Sequence, residues 1–160
     1  MPLIRNTAEG AVVVSDEWTL LLEQDAELPS SKVLVPLARY LDATGGDVAP
    51  VIAPDDDVLA HADALKNAPL VAINFPAFTD GRGFTHARML RERLGYTGEI
   101  RAVGDVSRDR LEYMARCGFD TFLIPEERFK PEVLAAFDDI SVDYQGGAYD
   151  PRPLFRRQSA

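Results

Sequence analysis

Short apolar runs separated by amphipathic stretches set the pattern of this chain from about residue 48 onward. Val48-Ala49-Pro50-Val51-Ile52-Ala53 reads as a buried strand, and Val58, Leu59, Ala62 and Leu65 then recur at helical spacing. Leu70-Val71-Ala72-Ile73-Asn74-Phe75 is the next strand. A helix follows from about Phe84 to Leu94, with Phe84, Ala87, Leu90 and Leu94 on one face and Gly95 as its stop. Glu99-Ile100-Arg101-Ala102-Val103 is a third strand. Ser107 caps a helix with Leu111, Met114 and Ala115 inward, ended by Gly118. Thr121-Phe122-Leu123-Ile124 is a fourth strand. Pro131 opens a helix with Leu134 and Phe137 inward, and Ile140, Val142 and Tyr144 alternate as a last strand. Continuous apolar strands alternating with helices of this length predict βαβ units, a parallel sheet and right-handed crossovers.

The N-terminal part reads differently. Residues 1–10 look like a loose start. Ala11-Val12-Val13-Val14 and Trp18-Thr19-Leu20-Leu21-Leu22, separated by Ser15-Asp16-Glu17, predict a small β-hairpin with Trp18 as its packing anchor. After the break at Leu28-Pro29-Ser30-Ser31, Val33, Leu37, Tyr40 and Leu41 suggest a helix that begins close to Pro36 and stops at Thr44-Gly45-Gly46-Asp47. The expected architecture is therefore an α/β fold with a mostly parallel sheet of about four to five strands. It comprises an N-terminal β appendage (1–30), an α/β domain (31–145) and a flexible Gly/Pro/Arg-rich tail (146–160).

Composition narrows the chemistry. The chain has 160 residues and is 46% hydrophobic, enough for one domain with a core of its own. Its net charge of -9 argues against a nucleic-acid or anionic-membrane surface, although Arg82, Arg88, Arg91, Arg93 and Arg101 fall close together. The N-terminus lacks an apolar core of signal-peptide type, and no apolar run approaches the roughly 18 residues of a membrane span. With the single Cys117, a cytoplasmic protein is expected. His61 and His86 have no His or Cys at ligand spacing, so no metal site is expected. Asp55, Asp56 and Asp57 read as carboxylates opening a helix, and Cys117 as a packing residue.

The polar chemistry concentrates in two strand-to-helix loops. Asp80-Gly81-Arg82-Gly83 follows one strand and Gly104-Asp105-Val106-Ser107-Arg108-Asp109 the next. In a parallel α/β sheet ligands bind beyond the carboxyl ends of the strands, so both loops belong to that edge. Glycines there let backbone approach a ligand, and Arg82 can bond an oxyanion. The candidate binding residues are Asp80, Gly81, Arg82, Gly83, Arg88, Arg101, Gly104 and Asp105. The bland alternative is turn chemistry with ion pairs: Asp80 with Arg82 or Arg88, Asp105 with Arg108 or Arg101. Arg101, inside a strand, calls for a carboxylate partner or a wet strand end. His86 stands where a dinucleotide fingerprint needs its third glycine, and no Gly-Lys-Ser/Thr makes a P-loop.

The stretch from Phe75 through Asp80-Gly81-Arg82-Gly83 to Arg93, the string Arg101-Ala102-Val103-Gly104-Asp105-Val106, and Met114-Ala115-Arg116-Cys117-Gly118-Phe119-Asp120 resemble a bacterial family, the domain of unknown function nine-three-four. The resemblance covers about residues 30 to 145. It implies a link to assimilatory sulfate reduction, because members are commonly encoded beside sulfite reductase and labelled as oxidoreductases of sulfite reduction. The family brings no established catalytic residues. Sulfite reduction uses sirohaem and an iron–sulfur cluster that takes several thiolates, which one cysteine does not supply. No cofactor motif is evident; a flavin held without a motif stays open. Two readings follow. One is an accessory protein docking to sulfite reductase or its electron donor through the two loops. The other is a small-anion-binding enzyme or oxidoreductase whose pocket joins Asp80, Arg82, Arg101 and Asp105 at the strand ends.

Overall fold

The computed structural model describes residues 1–43, 45 and 47–137. Its frame is one eight-stranded sheet in the order β2-β1-β8-β7-β6-β5-β4-β3. The strands are β1 (Leu3–Thr7), β2 (Gly10–Val14), β3 (Thr19–Leu20), β4 (Val33–Pro36), β5 (Val48–Ile52), β6 (Leu70–Phe75), β7 (Glu99–Gly104) and β8 (Thr121–Leu123). From β3 to β8 every neighbour is the next strand in the chain, and all five pairings are parallel. The α/β class and the four strands read from β5 to β8 hold. The sheet is larger than the expected four to five strands, because β1 and β4 carry no pattern that was read as strand.

Two corrections follow at the N-terminus. The loose start is β1, which pairs antiparallel with β2 and with β8. The hairpin is therefore β1–β2, and Thr19-Leu20 lies at the opposite edge, parallel to β4. Val33–Pro36 is a strand, and the helix α1 (Leu37–Asp42) begins directly after Pro36. The proline sets this junction: the residue before it is biased to extended backbone, and its missing N–H is tolerated where a helix begins. The strand expected at Ile140, Val142 and Tyr144, and the tail from Gly146, lie outside the described residues.

With successive parallel strands added in one direction along the sheet, crossovers of one hand put the described helices on one face of it. One apolar cluster confirms this. It joins Ile4, Ile52, Val71, Ile73, Phe75, Ile100, Ala102 and Phe122 of the strands to Leu37 of α1, Leu65 of α2 (Ala62–Lys66), Ala87 of α3 (Arg82–Arg88) and Leu111 and Met114 of α4 (Leu111–Cys117). The other face carries the alternate side chains Leu3, Leu34, Ala49, Val51, Leu70, Ala72, Val103 and Leu123, covered by Trp18 and Leu20. Trp18 is a packing residue, but against this sheet face and not within the hairpin expected for it, and Lys32 lies over its ring. The helix expected at 84–94 starts two residues earlier and changes at Met89–Arg93 to a π-helical turn before Gly95, at φ 65°. Residues 131–137 form a 3-10 helix that buries Val133 and Ala136. Among the described residues, no helix is long and apolar enough to cross a membrane.

Candidate functional site

Strands β6 and β7 are neighbours in register from Leu70 opposite Glu99 to Phe75 opposite Gly104. Their following loops therefore leave the same edge side by side. The Asp105 N–H donates to the Phe75 carbonyl at 2.6 Å, stitching one loop to the end of the other strand. Gly104 makes this possible. Its φ is 89°, and a Cβ there would run into the Phe75 carbonyl and lie 2.5 Å from Asn74 Oδ1. Only glycine takes this turn without strain.

The other glycines differ in role. Gly83 is buried in α3, and a Cβ on it would meet the Phe75 ring at 2.6 Å and Ile73 Cγ2 at 3.1 Å. Its task is helix-to-sheet packing; the surface it opens faces the core. Gly81 has an ordinary φ of -90° and a single side-chain neighbour at 3.8 Å, so it carries no steric demand.

The charges around the loops are largely matched. Asp80 accepts from the backbone N–H of Arg82 at 3.1 Å and from its Nε and Nη2 at 3.0 and 2.7 Å. These bonds hold the Asp80 carboxyl at a pKa of about 2, the Arg82 side chain contributing most and its N–H next. Arg82 also pairs with Asp55 of the loop after β5, so three loop groups form one surface cluster. Asp56 and Asp57 serve the backbone instead. Asp56 accepts from Ala53, and Asp57 from Leu59 and Ala60, in the turns before α2. Asp105 pairs with Arg128, in the 3-10 turn Glu126–Arg128, rather than with Arg108 or Arg101.

Arg88 and Arg101 stand apart from this edge. Arg88 pairs with Glu92 along its own helix, beside a groove of about 400 Å³ shared with Leu59, Thr85, Met89 and Arg93. Arg101 is 3% exposed and lies on the face opposite the helices. Its Nη1 donates to Asp16 at 2.7 Å, and its Nε and Nη2 donate to Glu99 at 3.1 and 2.9 Å. Thr121 and Arg5 also donate to Glu99, completing a structural network that pins the segment after β2. The partner expected for a strand-borne arginine is present, and the contacts of Arg101 do not join it to Asp80, Arg82 or Asp105.

Sequence reasoning missed Arg110. It is the last residue of the 3-10 turn Arg108–Arg110, directly before α4, is 7% exposed, and inserts between the rings of Phe75, Phe78 and Phe84 at 4.9, 5.0 and 4.9 Å from their centroids. A residue from the second loop thus fills the space beneath the first. Phe78, at the outside of this stack, is 55% exposed. His86 is buried on the inner side of α3, with Nε2 donating to the Pro54 carbonyl at 3.1 Å and Nδ1 sealed without a partner. Among the described residues, no three His, Cys, Asp or Glu side chains come together as a metal site. Cys117 is buried, and that burial pushes its thiol pKa up.

No curated protein and no solved structure matches the chain. A family model does, over residues 49–155, beginning at β5 rather than near residue 30 and covering both loops. The chain belongs to that family, the bacterial proteins of unknown function grouped as DUF934.

Proposed function

We propose that this protein is an accessory factor of assimilatory sulfite reduction that works by docking to sulfite reductase or its electron donor. The surface is the edge formed by residues 76–82 and 104–109. The observation that carries the reading is Phe78, an aromatic ring held half out of the molecule by Arg110 beneath it. The loops of this edge also carry the charged groups Asp55, Asp80 and Arg82, and Asp105 with Arg128. An aromatic anchor inside a polar, charged rim is the anatomy of a protein-binding patch. The link to sulfite reduction comes from the family resemblance.

The test uses purified components. Tagged protein captures sulfite reductase or its reductase partner, and the capture is repeated with Phe78→Ser and Arg82→Ala. Both positions are exposed, so the variants keep the fold. Phe78→Ser is expected to reduce recovery at least tenfold, as for an interface anchor, with a smaller loss for Arg82→Ala. Equal recovery by wild type and Phe78→Ser sinks the surface; no capture by wild type sinks the partner.

A further inference from the structure

Arg110 is a buried cation that no carboxylate of the described residues contacts. A guanidinium carries five N–H donors. Among the described residues Arg110 makes one hydrogen bond, from Nη1 to the Asp105 carbonyl at 3.5 Å, at the long limit for such a bond. The two acids whose charge acts on it are engaged elsewhere: Asp105 with Arg128, and Asp109 with the Ser107 hydroxyl at 2.7 Å. Three phenylalanine rings cover the guanidinium. Its unbonded edge, Nε and Nη2, is not sealed, because among the described residues the sealed, unpartnered side-chain atom is His86 Nδ1.

We propose that Arg110 is the receptor for a small oxyanion, a carboxylate or a tetrahedral sulfate- or phosphate-type group, accepted side-on by its Nε–H and Nη2–H. Parallel N–H groups at this spacing match two oxygens of one anion, which a lysine ammonium does not. The rings strip water from the guanidinium faces, and that desolvation already pulls the Arg110 pKa down. A ligand anion restores the lost hydrogen bonds and charge balance. The position also fits, since Arg110 sits beyond the carboxyl ends of β6 and β7, where α/β sheets bind ligands. The site shares Phe78 with the proposed docking surface, but it is read on the isolated protein with no partner present.

The experiment is a titration of the full chain with acetate, sulfate or phosphate against chloride at constant ionic strength, followed by the arginine Nε–H signals in nitrogen-correlated NMR spectra. The expected result is a saturable shift of the Arg110 Nε–H with at least one oxyanion and none with chloride. Saturation by acetate alone assigns a carboxylate ligand; saturation by sulfate or phosphate assigns a tetrahedral one. The same anion raises the melting temperature of wild type, and Arg110→Lys loses at least tenfold in affinity. An Arg110 signal that does not move, or drifts without saturating alongside Arg82 and Arg128, overturns the proposal. That readout needs only wild-type protein, so it stands even if Arg110→Lys fails to fold.

Discussion

Arg91 and Arg88 follow one another along the same helical segment, yet the structure assigns them opposite weights. Arg91 is 10% exposed and reaches across the end of the molecule. Its Nε and Nη2 donate to the Gly118 carbonyl at 3.0 and 2.9 Å, and its Nη1 to the carbonyls of Tyr96 and Gly98 at 2.7 and 2.8 Å. Nη2 also meets Asp120 at 2.6 Å, and the same Asp120 oxygen accepts from the Ile100 N–H. One side chain therefore ties the end of α4 to the entry of β7. Replacing it by methionine keeps the packing stem and removes every donor. Asp120 is 33% exposed, so the pair is only half-buried and water takes up part of the roughly 3–5 kcal/mol that breaking a buried pair costs, while the bonds to three carbonyls add about 1 kcal/mol each. We expect Arg91→Met to cost about 4 kcal/mol, or roughly 8–16 °C in melting temperature for a chain of this size. Arg91→Lys should recover less than half, because an ammonium cannot reach all these acceptors in a plane. Arg88→Ala removes only an exposed i,i+4 pair and should cost about 0.3–0.5 kcal/mol. Urea unfolding followed by circular dichroism reads all three. An unfolding free energy for Arg91→Met within ~1 kcal/mol of wild type, the scale of a single hydrogen bond, would refute the reasoning.

Two further outcomes concern the loops themselves. Gly104→Ala should destabilise by about 2–4 kcal/mol in thermal melts, since it combines a left-handed φ with a clash against backbone, while Gly81→Ala stays within about 0.5 kcal/mol of wild type; equal effects would contradict the assignment of their roles. The Asp80 carboxyl should titrate with a midpoint of about 2 by carboxyl-carbon NMR. Because the folded value lies below the ordinary carboxyl value of 3.8, its stabilising contribution is present above pH 3.8 and is lost as pH falls through about 2. Arg82→Ala should bring the midpoint back up, and a wild-type midpoint near 3.8 would remove the Asp80–Arg82 bond from the solution structure.

Local pattern carried the alternation from β5 to β8, because each of those strands is short, apolar and followed by a helix. Parallel pairing of β6 with β7 then makes the two loops neighbours, which is why the candidate edge was legible. What local pattern does not carry is pairing across the chain. Leu3–Thr7 has mixed polarity and becomes a strand by pairing with Thr121–Leu123 at the far end of the sequence. Val33–Pro36 was hidden by the helical spacing of Leu37, Tyr40 and Leu41 just after it. Among the glycines, sequence could not separate Gly104, whose turn needs a positive φ, from Gly81, whose turn does not. Arg110 looks like any basic residue near a helix start. Its burial depends on three phenylalanines contributed by β6, the loop after it and α3. A tight cluster of aromatic residues, Phe75, Phe78 and Phe84, around a glycine loop was the signal that could have pointed to a cation between them.

The strand order bears on how the chain assembles. From β3 to β8 each strand adds beside the one made just before it, so this part can grow in the order of synthesis with short loop closures. The β1–β2 hairpin precedes these strands in the chain but docks on β8, the last strand among the described residues. A ribosome-bound chain must carry that hairpin unplaced until Thr121–Leu123 emerges. In the finished molecule the same hairpin covers the hydrogen-bonding edge of β8, an edge that would otherwise be open to another chain. A segment far from β8 in sequence thus acts as the latch on that edge, and removing Leu3–Thr7 would leave it exposed.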